Sequence, residues 1–357
     1  MEQKKLLFAD YMRVLATLAV ILLHCAGDYL YQFKLGGMDT TRWWICNIYD
    51  SSVRWCVPIF VMLSGALLLR PKKVESIPDF LKKRMLRVFI PFLFWGFIYT
   101  CYVNRAYIYD VRRPYWPDVW FKVFFEDIYY HLWFVPMILG LYFLVPVFRV
   151  FVRHATKFEQ EYFLMFWFYV STIQIYFPHF FLVKFIGWLA YIGYLVLGDY
   201  LVTYGFPEKD KRWLYILGWF SLLMTIGATW QVSANFGIFS EIFYQYLSPN
   251  VIFMAFALFV WMRDYDWASF STRFPRIQAF VQWFSGISFG VYLVHVILLD
   301  IFKNGYLFDI TFLSNSVMGH QMHVSYGIPL VTLFITIVSI SIIYVLCKIP
   351  YLRDWVK

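Results

Sequence analysis

Val14-Leu-Ala-Thr-Leu-Ala-Val-Ile-Leu-Leu23 is a nearly unbroken apolar run, with Asp10 and Arg13 at its start and His24 at its end. Extended to 7–26, it has the length of a membrane-crossing helix, which needs about 20 mainly apolar residues. The acid and base at its start, and the lack of a small-residue cleavage site, set it apart from an export signal. Nine further segments read the same way: 52–69, 86–104, 132–150, 162–178, 181–203, 213–231, 247–263, 281–302 and 326–347. Pro178 disfavours helix at Phe177, so a tight hairpin is expected between the fifth and sixth segments. The expected fold is an all-α integral membrane protein, a bundle of about ten transmembrane helices.

Composition agrees. Hydrophobic residues make up 61% of the 357 residues and charged residues 15%, against about 25% charged in a soluble domain. Aromatic residues reach 24%, and the mean hydropathy is +0.61. A disordered chain is excluded by this hydrophobicity, and a soluble enzyme could not cover its surface with so few polar groups.

The net charge of +9 has a topological reading. Lys and Arg collect in the segments that alternate helices place on the N-terminal side, above all in 70–87. By the positive-inside rule both termini are expected in the cytoplasm, and no nucleic-acid partner is needed to explain the charge. The longest outer loops, 27–51 and 105–131, are too short for a soluble domain, so residues 1–357 read as a single transmembrane domain. The five cysteines Cys25, Cys46, Cys56, Cys101 and Cys347 are odd in number and form no Cys-x-x-Cys pair, so no zinc or redox framework is expected. His320 and His323 lack a third ligand nearby in sequence, and no metal is expected there.

The first helix carries the most chemistry. Arg13 and His24 are eleven residues apart, close to three full turns, so they share one face and stand about 16 Å apart along the axis. Asp10 lies one turn before Arg13 and can pair with it. Asp28 follows His24 by four residues and would orient its ring if the helix continued through Gly27. Snorkelling to lipid phosphates is the bland reading of Arg13, and hydrogen-bonded packing that of His24. Against both stands the cost of an ionisable group inside a membrane, which makes such a group a functional candidate. Histidine can serve as a general base near neutral pH. Arg84 and Arg87 are helical neighbours whose guanidinium groups suit phosphates; ordinary anchoring is the alternative. His295, His131 and Trp133 could line a substrate cavity, with packing or an aromatic belt as the alternatives. Glu126 and Asp127 are outer-loop carboxylates whose default reading is solvated charge.

The spacing of Arg13 and His24 resembles the first-helix signature of the membrane-bound acyltransferase family 3, an Arg, ten intervening residues and a His. Arg84-Met-Leu-Arg87 resembles the family's Arg-x-x-Arg landmark. Val57-Pro-Ile-Phe-Val-Met-Leu-Ser-Gly65, His131-Leu-Trp-Phe-Val-Pro-Met137 and Ser288-Phe-Gly-Val-Tyr-Leu-Val-His295 look like further family segments, in the family's order. The compact chain is similar to the WecH-like surface-polysaccharide O-acetyltransferase branch.

The resemblance implies an O-acyltransferase of the bacterial cytoplasmic membrane, with acetyl-CoA as donor and a glycan or glycolipid as acceptor. His24 would be the base, with Arg13 positioning the donor and Asp28 orienting the ring. Arg84 and Arg87 would hold coenzyme A phosphates, and His131, Trp133 and His295 would contact the substrate. A glycan transporter or flippase is the competing reading, since it too needs intramembrane Arg and His.

Overall fold

The computed structural model describes residues 2–34, 36–71, 75–105, 129–177, 189–304 and 323–357. Among these the secondary structure is helical throughout. Eight stretches are long and apolar enough to cross a membrane: Leu7–Gln32, Thr40–Leu68, Ile77–Val103, Phe134–His154, Glu208–Phe236, Ile242–Asp264, Pro275–Asn304 and Val324–Leu346. The chain is a multi-pass membrane protein. In order, the helices are α1 (Glu2–Gly27), α2 (Thr40–Val53), α3 (Cys56–Leu68), α4 (Ile77–Arg84), α5 (Ile90–Val103), α6 (Phe134–His154), α7 (Lys157–Tyr176) and α8 (Ile192–Tyr204). They continue with α9 (Glu208–Phe236), α10 (Pro249–Asp264), α11 (Trp267–Arg273), α12 (Pro275–Asn304), α13 (Val324–Leu346) and α14 (Arg353–Val356).

Eight of the ten expected segments correspond to these spans. The fifth is α7, which runs for 20 residues but falls outside the eight, because its Tyr, Trp, Gln and Ser content lowers its hydropathy. It starts at Lys157 because Thr156 caps it: the Thr156 hydroxyl accepts from the Glu159 N–H while the Glu159 carboxylate accepts from the Thr156 N–H, a reciprocal capping box. Of the sixth segment, the part from Ile192 to Tyr204 is helical, and 178–188, with the expected hairpin, lie outside the described residues.

The expected loop 27–51 is corrected. Thr40–Val53 is a helix, capped by the Asp39 side chain on the Arg42 N–H, and it joins α3 to make one span. Its hydropathy is diluted by Asn47, Asp50 and Ser51, which are all buried and turn into the bundle. The span breaks at Arg54 and Trp55. Pro58 is the cause: it cannot donate to the Arg54 carbonyl four residues back, and its ring crowds that carbonyl.

α1 is the centre of the bundle, packed against α2, α3, α12 and α13. A helix touched on so many sides must be apolar nearly all round, and Met12, Ala16, Ala19, Val20, Ile21 and Ala26 are all buried. α3 and α8 make the closest crossing, and glycine permits it. A Cβ on Gly65 would collide with the Leu195 carbonyl, and one on Gly198 with the Met62 carbonyl. Each glycine thus faces the backbone three residues before the other, as in small-residue crossings of membrane helices. Just past the crossing, Arg70 reaches back to the buried Asp199, Nε to Oδ2 at 2.9 Å.

Gly65→Val and Gly198→Val are therefore expected to wedge α3 from α8 and to destabilise the protein by about 1–3 kcal/mol, the usual cost of overpacking. Gly227→Ala, where an added Cβ meets nothing within 4 Å, is expected to leave the thermal midpoint unchanged or slightly raised. A thermal-shift series in detergent checks the contrast.

Candidate active site

α1 and α12 lie side by side, and Arg13 and His24 of α1 both meet α12. Near one end, Arg13 Nη1 donates to Ser285 Oγ at 2.7 Å. Ser285 donates in turn to Asp10 Oδ1 at 2.6 Å, and Arg13 and Asp10 pair at 3.4 Å. Toward the other end, the His24 ring lies 5.2 Å from that of His295. The eleven-residue spacing on α1 is answered by the ten-residue spacing from Ser285 to His295, so the expected shared face is the face against α12.

His131 completes a cluster of three histidines. Its ring centre is 5.5 Å from His295 and 6.3 Å from His24. The three come from α1, from the turn before α6, and from α12. His131 and His295 are buried, whereas His24 is half-buried and has the exposed Tyr130 ring at 5.2 Å. His295 Nδ1 is 2.6 Å from the Tyr292 carbonyl. A carbonyl only accepts, so the neutral ring carries its proton on Nδ1 and presents a bare Nε2. That Nε2 is buried and meets no hydrogen-bond partner among the described residues, and neither ring nitrogen of His131 does.

The surroundings fix these rings. The Tyr99 hydroxyl donates to the Leu293 carbonyl at 3.0 Å and accepts from the Ile297 N–H at 2.9 Å. Those two groups would pair with each other in a regular helix, so Tyr99 is inserted into the α12 ladder on either side of His295. The Tyr292 hydroxyl donates to the His131 carbonyl at 2.5 Å. Tyr102 and Tyr129 both donate to Asp300 Oδ2, at 2.8 and 2.7 Å, which ties the turn before His131 to α5 and α12.

α1 runs through Gly27, and Asp28 follows it directly. Asp28 is exposed and forms an ion pair with Lys303. Trp133 is half-buried and stacks on Tyr246 at 5.7 Å. Glu126, Asp127 and His320 lie outside the described residues.

Arg84 and Arg87 are also rearranged. Arg84 ends α4, and Met85–Phe89 form a π-helical turn, a feature frequent at functional sites. The wider turn removes the shared face that α-helical spacing implies, so Arg84 is half-buried while Arg87 is exposed. Arg84 Nε is buried without a hydrogen-bond partner among the described residues, and its guanidinium lies 5.5 Å from the centre of the Phe80 ring. Arg149 approaches the same ring at 4.3 Å and donates Nε to the Leu68 carbonyl at 2.9 Å. Arg149, near the end of the expected segment 132–150, is buried.

The acyltransferase domain family matches residues 6–348, nearly the whole chain. The chain belongs to the acyltransferase 3 family. No curated protein and no solved structure matches it. Family membership makes it a membrane-bound enzyme that moves an acyl group from a donor to an acceptor. The match covers both the helix bearing Arg13 and His24 and the turn bearing Arg84 and Arg87.

Ser285→Ala is expected to strip Arg13 and Asp10 of a shared partner and to cost about 0.5–1.5 kcal/mol. Asp28→Asn breaks only an exposed pair and is expected to cost about 0–1 kcal/mol. Thermal midpoints of the two variants, measured side by side, check the order.

Proposed function

We propose that the protein is an O-acyltransferase of a bacterial cytoplasmic membrane. It moves an acetyl or other short acyl group from cytoplasmic coenzyme A thioester to a hydroxyl of a cell-surface glycan or its lipid-linked precursor. The observation that carries this reading is the meeting of the half-buried His24 with two buried histidines at one end of the α1–α12 seam, with Arg13 at the other. Acyl transfer across a membrane needs that division: a phosphate-binding end for a soluble donor, and a base deep in the bundle where the acceptor arrives.

His24 is the group to remove the acceptor's proton as its oxygen attacks the thioester carbon. A positioned base of this kind contributes roughly 100- to 10,000-fold. His295, neutral with its proton directed to the Tyr292 carbonyl, sets the environment of His24, and His131 packs behind both. Arg84, with Arg87 and Arg149, supplies charge for coenzyme A phosphates, since guanidinium groups bind phosphate by paired donors. Arg13, held by Asp10 and Ser285, lies between the phosphate end and His24 and positions the donor. Trp133 and Tyr246 offer a stacked aromatic surface for a sugar. Both termini are assigned to the cytoplasm by the distribution of Lys and Arg. The rival transporter reading leaves the family match over 6–348 without a purpose.

Purified protein in nanodiscs with radiolabelled acetyl-CoA tests the reading. His24→Ala is expected to bind donor normally and to lose turnover by about 100-fold or more. Arg84→Ala/Arg87→Ala is expected to weaken donor binding by about tenfold or more, the loss of at least one charge-assisted hydrogen bond. Wild-type protein that binds no acyl-CoA, or moves a glycan without acylating it, would overturn the reading.

A further inference from the structure

A second buried ionic group lies beside His24, and the mechanism above does not use it. Asp50 is fully buried, and Arg54 Nε donates to its Oδ1 at 2.5 Å, with only 13% of the arginine side chain exposed. Arg54 stands at the break near the middle of the Thr40–Leu68 span, where Pro58 interrupts the helix. The guanidinium lies 4.0 Å from the centre of the Tyr244 ring. The Tyr244 hydroxyl is itself held by Asn47 Oδ1 at 2.5 Å, so the ring is fixed.

The pair belongs to the His24 neighbourhood. The other carboxylate oxygen, Asp50 Oδ2, lies 3.5 Å from where a Gly27 Cβ would stand. Gly27 is one turn past His24 on α1, so the carboxylate lies within van der Waals range of that turn. Asp50 Oδ2 has no hydrogen-bond partner among the described residues.

A buried ion pair is weak grounds for stability, because desolvation offsets its attraction. Inside a membrane its cost is higher and its retention points to function. The chemistry also identifies what is left over. Nε is committed to Asp50, and no described hydrogen bond engages the two terminal nitrogens of Arg54. Asp50 holds the planar fork in one orientation, while Tyr244 supports its face. Such a group is a preorganised donor pair for an oxygen that gains negative charge during reaction. The arginines suited to phosphate, Arg84 and Arg149, flank the Phe80 ring, whereas Arg54 lies with Asp50 against the α1 turn that follows His24.

We propose that Arg54 stabilises the oxyanion of the acyl-transfer intermediate and that Asp50 is its positioning residue. This rests on the acyltransferase reading above. The acceptor oxygen bonds to the thioester carbonyl carbon, and its proton passes to His24. The carbonyl π pair moves onto oxygen, which the terminal nitrogens of Arg54 meet. As that pair returns, the carbon–sulfur bond breaks, and the sulfur leaves as thiol with the proton held by His24. Atoms and charge balance without a further reactant.

The test compares wild type, Arg54→Lys, Arg54→Gln, Asp50→Asn and His24→Ala in nanodiscs with acetyl-CoA. It reads kcat, the KM for acetyl-CoA, donor binding and thermal midpoint. Arg54→Gln is expected to lower kcat about 100- to 1,000-fold, the effect of removing an oxyanion donor, with donor binding and KM unchanged. Arg54→Lys keeps a charge opposite Asp50 and is expected to hold its midpoint while falling between Gln and wild type in kcat. Asp50→Asn is expected to lose less kcat than Arg54→Gln. Wild-type kcat in both Arg54 variants overturns the assignment. So does a loss confined to KM, or a loss that tracks the midpoint across the series. Those outcomes leave the acyltransferase reading standing, provided that wild type turns over and His24→Ala does not. A wild type without turnover overturns both.

Discussion

The seam between α1 and α12 sets the geometry of everything else. α1 is packed against four helices, so its polar residues within the bundle meet a neighbour's polar positions. α12 supplies those positions at Ser285 and His295. Arg13 is thereby tied through Ser285 to Asp10, and His24 is set against His295. The helix rise keeps the two sites about 16 Å apart. The rigidity of two packed helices holds the two sites at a fixed separation.

The elements around the seam position the remaining groups. The α3–α8 crossing depends on Gly65 and Gly198. The break at Arg54, imposed by Pro58, brings a cation to the level of the histidines. The hydroxyl of Tyr99 inserted at Leu293 and Ile297 holds α12 on either side of His295. The π turn at Met85–Phe89 separates Arg84 from Arg87, so that one guanidinium enters the protein and the other stays at the surface. The last three of these features are departures from regular helix beside a residue of interest.

Helix identity was largely legible in the sequence, because membrane spans announce themselves by length and apolarity. The relation of Arg13 to His24 was legible for the same reason, since helical periodicity is local. What failed to show was tertiary or concealed by polarity. α2 read as a loop because Asn47, Asp50 and Ser51 dilute its hydropathy, yet these residues face inward, and with them went the Asp50–Arg54 pair. Arg149 lies near the end of a span, and its burial cannot be inferred from position alone. His131 and His295 are 164 positions apart, so their meeting with His24 depends on packing that no short pattern encodes. The pairing of Asp28 with Lys303 depends on packing in the same way.

The central claim is that a donor spans the α1–α12 seam from the arginines to His24. A structure of the protein in nanodiscs with a non-hydrolysable acetyl-CoA analogue tests it most directly. The account predicts phosphates against Arg84, the pantetheine arm running past Arg13, and the acyl carbonyl within hydrogen-bond reach of the groups around His24. An analogue bound with its acyl end away from α1, or His24 sealed in packing with no space for it, would contradict the account.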